Sequence, residues 1–278
     1  MSANPNVTAH TIPMVNKTFQ LIRLISEDSE DTTTKSLAIC LGMSRSSCYR
    51  ILRSLVAQDW IRPVAGGRHE LSLGLLPVLQ SLRRFETLVE AFDPVIRSLA
   101  LKTQMTVKVT VRQGDDAVTI SRSESPRGTS VGVRVGAAFP LAYGSSGAVL
   151  LSDLPDDQIT GILGRAQDVC WERQTRKDVS RRVHEVRSKG WCADFGMYCS
   201  KCHALSAAIH DPQGRVVAAL TVIGFSDEMT NESPLELSTA VAAAARQAEE
   251  ALSNGWAGRE ATHATKPLQS LSRRVNRL

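Results

Sequence analysis

The sequence contains no long apolar run: none of its 278 residues falls in a stretch approaching the roughly 20 uncharged apolar positions a membrane-spanning helix needs. Met1 to Val15 has neither a basic start nor an apolar h-region, so no secretory signal and a cytoplasmic location are expected. Six cysteines, Cys40, Cys48, Cys170, Cys192, Cys199 and Cys202, are scattered instead of forming a framework, and free thiols are expected in a chain of this size. The catalytic signatures sought are absent: no nucleophile elbow, P-loop, H-E-x-x-H or Gly-rich dinucleotide turn occurs, and Gly144-Ser145-Ser146-Gly147 is one residue short of G-x-S-x-G. An enzyme is therefore not expected, nor is a cofactor.

Hydrophobic residues at 42% and charged residues at 22% describe an ordinary globular protein, and the length suits about two domains. The net charge of +5 is uneven. Residues 1–84 carry +4, residues 85–256 carry −3, and residues 257–278 carry +4. Thr33 to Arg84 holds eight basic residues against two acidic ones. A basic N-terminal third on a mildly acidic body is the footprint of a nucleic-acid module joined to something else.

Val15, Phe19, Ile22 and Ile25 recur at helical spacing, and a polar run to Thr34 ends that helix. Thr33 or Thr34 can cap a second helix with Leu37, Ala38 and Leu41 inward. Gly42 supplies a turn of positive φ, Met43 plugs it, and Ser44 caps a third helix with Cys48, Ile51, Leu52 and Leu55 inward. This spacing is a helix-turn-helix. The outward face of its second helix offers Arg45, Ser46, Ser47, Tyr49, Arg50 and Arg53, with no acid before Asp59. Together with Ser44 these residues suit base edges and phosphates. Trp60–Val64 and Arg68–Leu73 flank Ala65-Gly66-Gly67 as a hairpin wing, with Arg68 and His69 near its tip. A linker helix begins at Gly74, with Pro77 in its first turn.

Ser36-Leu37-Ala38, Leu41-Gly42-Met43-Ser44-Arg45-Ser46, Tyr49 to Leu55, Trp60-Ile61 and Glu70-Leu71-Ser72-Leu73-Gly74 together resemble the IclR family of bacterial transcription regulators. The resemblance continues in Arg134-Val135-Gly136, Pro140-Leu141, Gly147, Gly190-Trp191, Asp194 and His210 to Leu220, and covers roughly Val15 to Leu252. It implies an α+β chain: a winged helix-turn-helix domain with linker helix (1–82), a GAF-like effector-binding and oligomerisation domain (83–256), and a basic tail (257–278).

The C-terminal part reads as α+β on its own terms. Helices are expected over 85–101, 145–151, 156–163 and 178–189, and strands over 105–113, 117–123, 205–210 and 216–223. Ser233 with Glu236 forms a capping box for an Ala-rich helix reaching about Leu252, and the tail from Ala257 has little apolar periodicity.

Carried over without gaps, the resemblance places an effector loop at Tyr143, Gly144, Ser145, Ser146 and Gly147 and an acid at Asp194. It places strand contacts at Ala204, Thr221 and Ile223, with Cys202 beside the cup. Ala204 and Ile223 stand where the family has polar residues, so the cup is more apolar and an acid with a ring or alkyl part is expected as ligand. The expected function is a ligand-responsive regulator, repressor or activator, of a catabolic operon. It would bind a pseudo-palindromic operator in double-stranded DNA as a dimer or tetramer. The alternative is a redox or metal trigger at Cys192, Cys199 and Cys202 with His203. A lone C-x₂-C is weak evidence for it, and an extended strand would point Cys202 and His203 to opposite sides.

Overall fold

The computed structural model describes residues 12–27, 31–80, 83–230 and 234–260. They fall into two compact units divided between Arg83 and Arg84.

The first unit holds α1 (Pro13–Ser26), α2 (Thr34–Cys40), α3 (Arg45–Ala57), an antiparallel hairpin of β1 (Ile61–Val64) and β2 (Arg68–Leu71), and α4 (Leu76–Leu79). Local chemistry sets the boundaries. The Thr33 hydroxyl accepts from Ser36 N–H to open α2, and the Ser44 hydroxyl accepts from Ser47 N–H to open α3. Gly42 adopts φ 56° between them, a conformation that suits a residue without Cβ. Leu37, Ala38, Leu41, Cys48, Ile51, Leu52 and Leu55 close the core as their spacing requires, with Met43 packed at its edge.

One expectation fails. The inward face of α1 is Leu21 and Ile25, with Ile22 and Leu24 at the edge, whereas Val15 and Phe19 are exposed, Phe19 at 56%. Only the C-terminal half of α1 overlies this small core. Its N-terminal half lines an open groove against α3 with Met14, Thr18 and Phe19.

The second unit opens with α5 (Arg83–Thr103) and is built on one six-stranded sheet. Its strands are β3 (Thr106–Gln113), β4 (Asp116–Ser123), β5 (Ala138–Pro140), β6 (Trp191–Cys199), β7 (Cys202–His210) and β8 (Val216–Phe225). Their spatial order is β5-β4-β3-β8-β7-β6, every neighbouring pair antiparallel. Between β5 and β6 come α6 (Gly144–Leu151), α7 (Asp156–Arg165) and α8 (Arg176–Lys189). After β8 come α9 (Ser226–Thr230) and α10 (Pro234–Glu260).

Alternation along the strands divides the unit into two cores. Val107, Val109, Leu205, Leu220 and Val222 pack with α5 and α10, through Phe92, Ile96, Val241 and Ala245. Ala117, Ala208 and Ala219 face the other way and pack with α6, α7 and α8, through Val149, Leu151, Ile162 and Val183. Each fully buried Val, Leu, Ile or Phe side chain among them is worth about 1.5–3 kcal/mol.

The expected helices and strands of this unit are present. The strand expected over 205–210 begins earlier, at Cys202, and pairs with Trp191–Cys199 as a hairpin; β5 and α9 are further elements beyond those expected. The Ser233 cap and the tail beyond Glu260 lie outside the described residues. No helix among the described residues is long and apolar enough to cross a membrane.

Candidate nucleic-acid interface and ligand cup

The second helix of the helix-turn-helix, α3, carries the predicted basic face. Arg45, Ser46, Tyr49, Arg50 and Arg53 are exposed opposite Cys48, Ile51, Leu52 and Leu55. The two remaining serines are engaged locally: the Ser44 hydroxyl, besides capping α3, lies 2.9 Å from the Ser47 hydroxyl and 3.1 Å from that of Ser46. Ser47 sits towards the groove between α1 and α3, which Arg50 also borders.

In the wing, Gly66 and Gly67 turn at positive φ and Arg68 stands exposed beside them. His69 differs from its expected role at the tip. Its backbone N–H donates to the Thr32 hydroxyl (3.1 Å), its carbonyl accepts from that hydroxyl (2.6 Å), and its ring Nδ1 lies 3.3 Å from the Thr32 carbonyl. His69 therefore ties the wing to the entrance of α2, and Arg68 is the wing's outward cation.

In the second unit, strand register decides which predicted residues meet. Asp194 on β6 stands opposite Ala204 on β7, which stands opposite Ile223 on β8, which stands opposite Thr106 on β3. Two residues along, on the same face, Cys192, Ser206, Thr221 and Lys108 form a second row. This is the face that α6 covers.

The loop before α6 comes down onto these rows. Tyr143 precedes the helix, and Gly144 begins it so close to β6 that a Cβ would lie 3.4 Å from Asp194 Oδ2. Asp194 is buried, and its Oδ1 accepts from Met197 N–H (2.7 Å). The Thr221 hydroxyl is already occupied: it lies 2.8 Å from the Ser206 hydroxyl, itself 2.7 Å from that of Ser145. Ala204 and Ile223 put apolar side chains in the other row, between Asp194 and Thr106, while Lys108 ends the row of the hydroxyl chain.

Ser206, Lys108, Phe139, Tyr198 and Arg182 were not singled out beforehand. Tyr198 packs edge-on against Tyr143, centroids 4.9 Å apart, and lies 6.3 Å from Phe139. The Lys108 ammonium sits 4.4 Å from the Phe139 ring centre. Burial pushes the Tyr143 phenol up to about 12 and brings the Lys108 amine down to about 8. Arg182 on α8 is fully buried; its Nη2 donates to Gln174 Oε1, while Nε and Nη1 have no partner. Burial lowers its pKa, and the charge of nearby Asp194 draws it partway back. A lysine inside an alternating strand was the one legible signal; the others needed the tertiary register.

Cys192 lies apart from the Cys199–Cys202 pair. Cys192 is buried and donates to the Ser145 carbonyl (3.4 Å), with burial pushing its thiol up to about 12. Cys199 and Cys202 face each other across the β6–β7 turn, and burial with the neighbouring Cys199 pushes Cys202 up to about 11. Thiols held protonated at neutral pH are poor nucleophiles and poor metal ligands. His203 points to the opposite face, edge-on to Phe195. Among the described residues no group of three or more His, Cys, Asp or Glu is placed to hold a metal ion.

Comparison with known proteins agrees with this architecture. Residues 14–65 match the family model described as the IclR helix-turn-helix domain, and residues 80–250 match that of the bacterial transcriptional regulator IclR C-terminal domain. The chain is 22% identical over 214 residues to the HTH-type transcriptional repressor AllR of Klebsiella pneumoniae, covering 76% of this chain and 79% of that protein. Thermotoga maritima IclR superposes with a TM-score of 0.69 at 19% identity, covering 86% of this chain and 98% of that one. An IclR homologue from Microbacterium hydrocarbonoxydans, solved with 4-hydroxybenzoate, superposes with a TM-score of 0.70 at 15% identity, covering 86% and 98%. These likenesses establish the fold.

Proposed function

Because the chain belongs to the IclR family of bacterial transcription regulators, it is a ligand-responsive DNA-binding regulator and not an enzyme, and we propose that it controls a catabolic operon for an organic acid with an apolar, aromatic part. The observation that carries the ligand class is the row Asp194–Ala204–Ile223 beneath the first turn of α6, with the Thr221 hydroxyl already bound by Ser206. A ligand here meets few free hydrogen-bonding groups on the floor and two tyrosines at the wall, so apolar ring surface is favoured. Its carboxylate is received at the N-terminus of α6, where Gly144, Ser145 and Ser146 supply the first-turn backbone N–H groups; Tyr143, whose own N–H is bonded to the Pro140 carbonyl, and Gly147 flank that turn. Cys202 lies on the same face at the rim. That a structural relative was solved with 4-hydroxybenzoate supports this reading.

Residues 1–82 read the operator, residues 83–256 sense the ligand and oligomerise, and residues 257–278 form a basic tail. Arg45, Arg50, Arg53 and Arg68 contact phosphates or guanine edges, Ser46 and Tyr49 lie beside them, and Ser44 and Ser47 set the start of the helix that enters the major groove. His69 acts indirectly, by holding the wing. Two copies pair, as a dimer or as halves of a tetramer, on a pseudo-palindromic operator in the cytoplasm. The exposed Met14, Val15 and Phe19 on α1 support pairing through that helix. The ligand favours one arrangement of the modules by as much as it binds that arrangement better.

A gel shift with the upstream intergenic region, with and without benzoate-class acids, tests the whole reading. Arg50→Ala abolishes most operator binding and leaves acid binding, measured by isothermal titration, unchanged. Full operator affinity in that variant, or tight binding of glyoxylate-like acids with no binding of aromatic ones, overturns the corresponding half of the proposal.

A further inference from the structure

The ligand cup contains a cation that no partner in the structure explains. Lys108 stands on β3 between Thr221 on β8 and Arg122 on β4. Among the described residues no carboxylate pairs with it, and its recorded contact is the face of Phe139. The Thr221 hydroxyl is hydrogen-bonded to that of Ser206. Arg122 is a like charge directly across the strand pair, an arrangement that is unfavourable unless a negative group sits nearby. The one acid beside it, Glu124, pairs with Arg122 (2.9 Å), which also donates to the Val133 carbonyl. Three ammonium donors in a half-buried site, with no protein acceptor among the described residues, are placed to receive an oxyanion through charge-assisted hydrogen bonds.

The rings give this cation a direction. Phe139 lies under Lys108, Tyr198 lies 6.3 Å from Phe139, and Tyr143 lies 4.9 Å from Tyr198. Tyr143 immediately precedes α6. An aromatic strip therefore runs from the Lys108 ammonium to the N-terminus of α6. Lys108 and Ser206, which touches Ser145 in the first turn of α6, lie two strands apart, about 10 Å between backbones.

We propose that Lys108 binds a second oxyanion at the far end of the effector, so that the ligand is a planar diacid lying along the strip, with one carboxylate at the start of α6 and the other on Lys108. This rests on the reading of the cup as the effector site, and the test separates the two. Matched pairs of acids report the far end directly: terephthalate against benzoate, and trans,trans-muconate against sorbate, titrated calorimetrically into the full-length protein. In the wild type each diacid binds roughly ten- to a hundredfold more tightly than its monoacid. Lys108→Met removes that preference while retaining monoacid binding, and Lys108→Arg restores it. Thermal unfolding verifies that each variant is folded. Ala204→Leu, or Ala204→Val should the larger residue prevent folding, fills the floor and weakens all four acids.

Equal affinity for diacid and monoacid in the wild type, or a preference that survives Lys108→Met, overturns the role of Lys108; if Ala204→Leu still weakens binding, the cup itself stands. Binding insensitive to both substitutions, or no binding of any of the four acids at millimolar concentration, overturns both.

Discussion

Burial alters the chemistry of Lys108 at neutral to mildly basic pH. In an unfolded chain its amine titrates as an ordinary lysine, whereas burial in the folded protein brings it to about 8. Between those two values the unfolded state holds a proton that the native state has released, so native stability rises as pH increases from about 8 towards 10. Lys108→Met abolishes that rise and, by removing a poorly solvated charge, increases the melting temperature at pH 7 by about 2–4 °C, measurable by calorimetric melts across pH. A diacid needs the ammonium, so its advantage over the monoacid fades above pH 8. Arg122 stands across the strand pair from Lys108 with Glu124 paired to it, and the Tyr198 and Tyr143 phenols continue the strip beyond Phe139. Both phenols are pushed up by burial and stay neutral over this range. A second residue-scale effect concerns Ser206, fully buried between Ser145 and Thr221. Ser206→Ala strands two buried hydroxyls and destabilises by about 1–3 kcal/mol, read as a lower urea midpoint with an unchanged slope.

At the scale of elements, the approach of α6 to the loop before it is the tightest constraint on the cup. A Cβ on Gly147 would lie 2.2 Å from the Leu141 carbonyl oxygen and 2.9 Å from its carbon, both backbone atoms that cannot swing aside. Gly147→Ala therefore pushes α6 away from the loop that carries Tyr143 and Gly144. The expected cost is about 1–3 kcal/mol in chemical unfolding, with weakened acid binding as its companion. The same logic of short-range chemistry holds α3: the Ser44 side chain both caps the helix and orders Ser46 and Ser47. Ser44→Ala lowers stability by about 1 kcal/mol in the same assay and frays the first turn of the helix that carries the basic face.

For the whole molecule, the net +5 is the small remainder of a basic reader, an acidic sensor and a basic tail. Operator affinity should accordingly fall steeply with salt although the total charge is modest, because the charge that counts is concentrated on α3 and the wing. Replacing Arg45, Arg53 or Arg68 singly with Ala reduces the log–log salt slope by about one for each bound module. Fluorescence anisotropy on a labelled operator at several salt concentrations measures it; a slope unchanged by all three substitutions would move the interface elsewhere.

The sequence alone determined the first unit almost completely, because every signal in it is local: hydroxyls at helix starts, a glycine where φ must be positive, and apolar residues at helical spacing. It failed there at Val15 and Phe19, where periodicity marks an apolar face but does not say how far the core extends beneath it, and at His69, which Thr32 engages from far away in the chain. In the second unit the sequence determined most strands and helices, the closing turn of β7 and β8, and the candidate positions Asp194, Ala204, Thr221 and Ile223. Only the tertiary structure decided which of those positions meet. Three successive strands must pair in one register before Asp194, Ala204 and Ile223 form a row, and β3, far away in sequence, must join them before Lys108 stands beside Thr221. The same pairing is needed before Ser206 can occupy the hydroxyl of Thr221, and before a lysine in an alternating strand stands unpartnered beneath an aromatic wall.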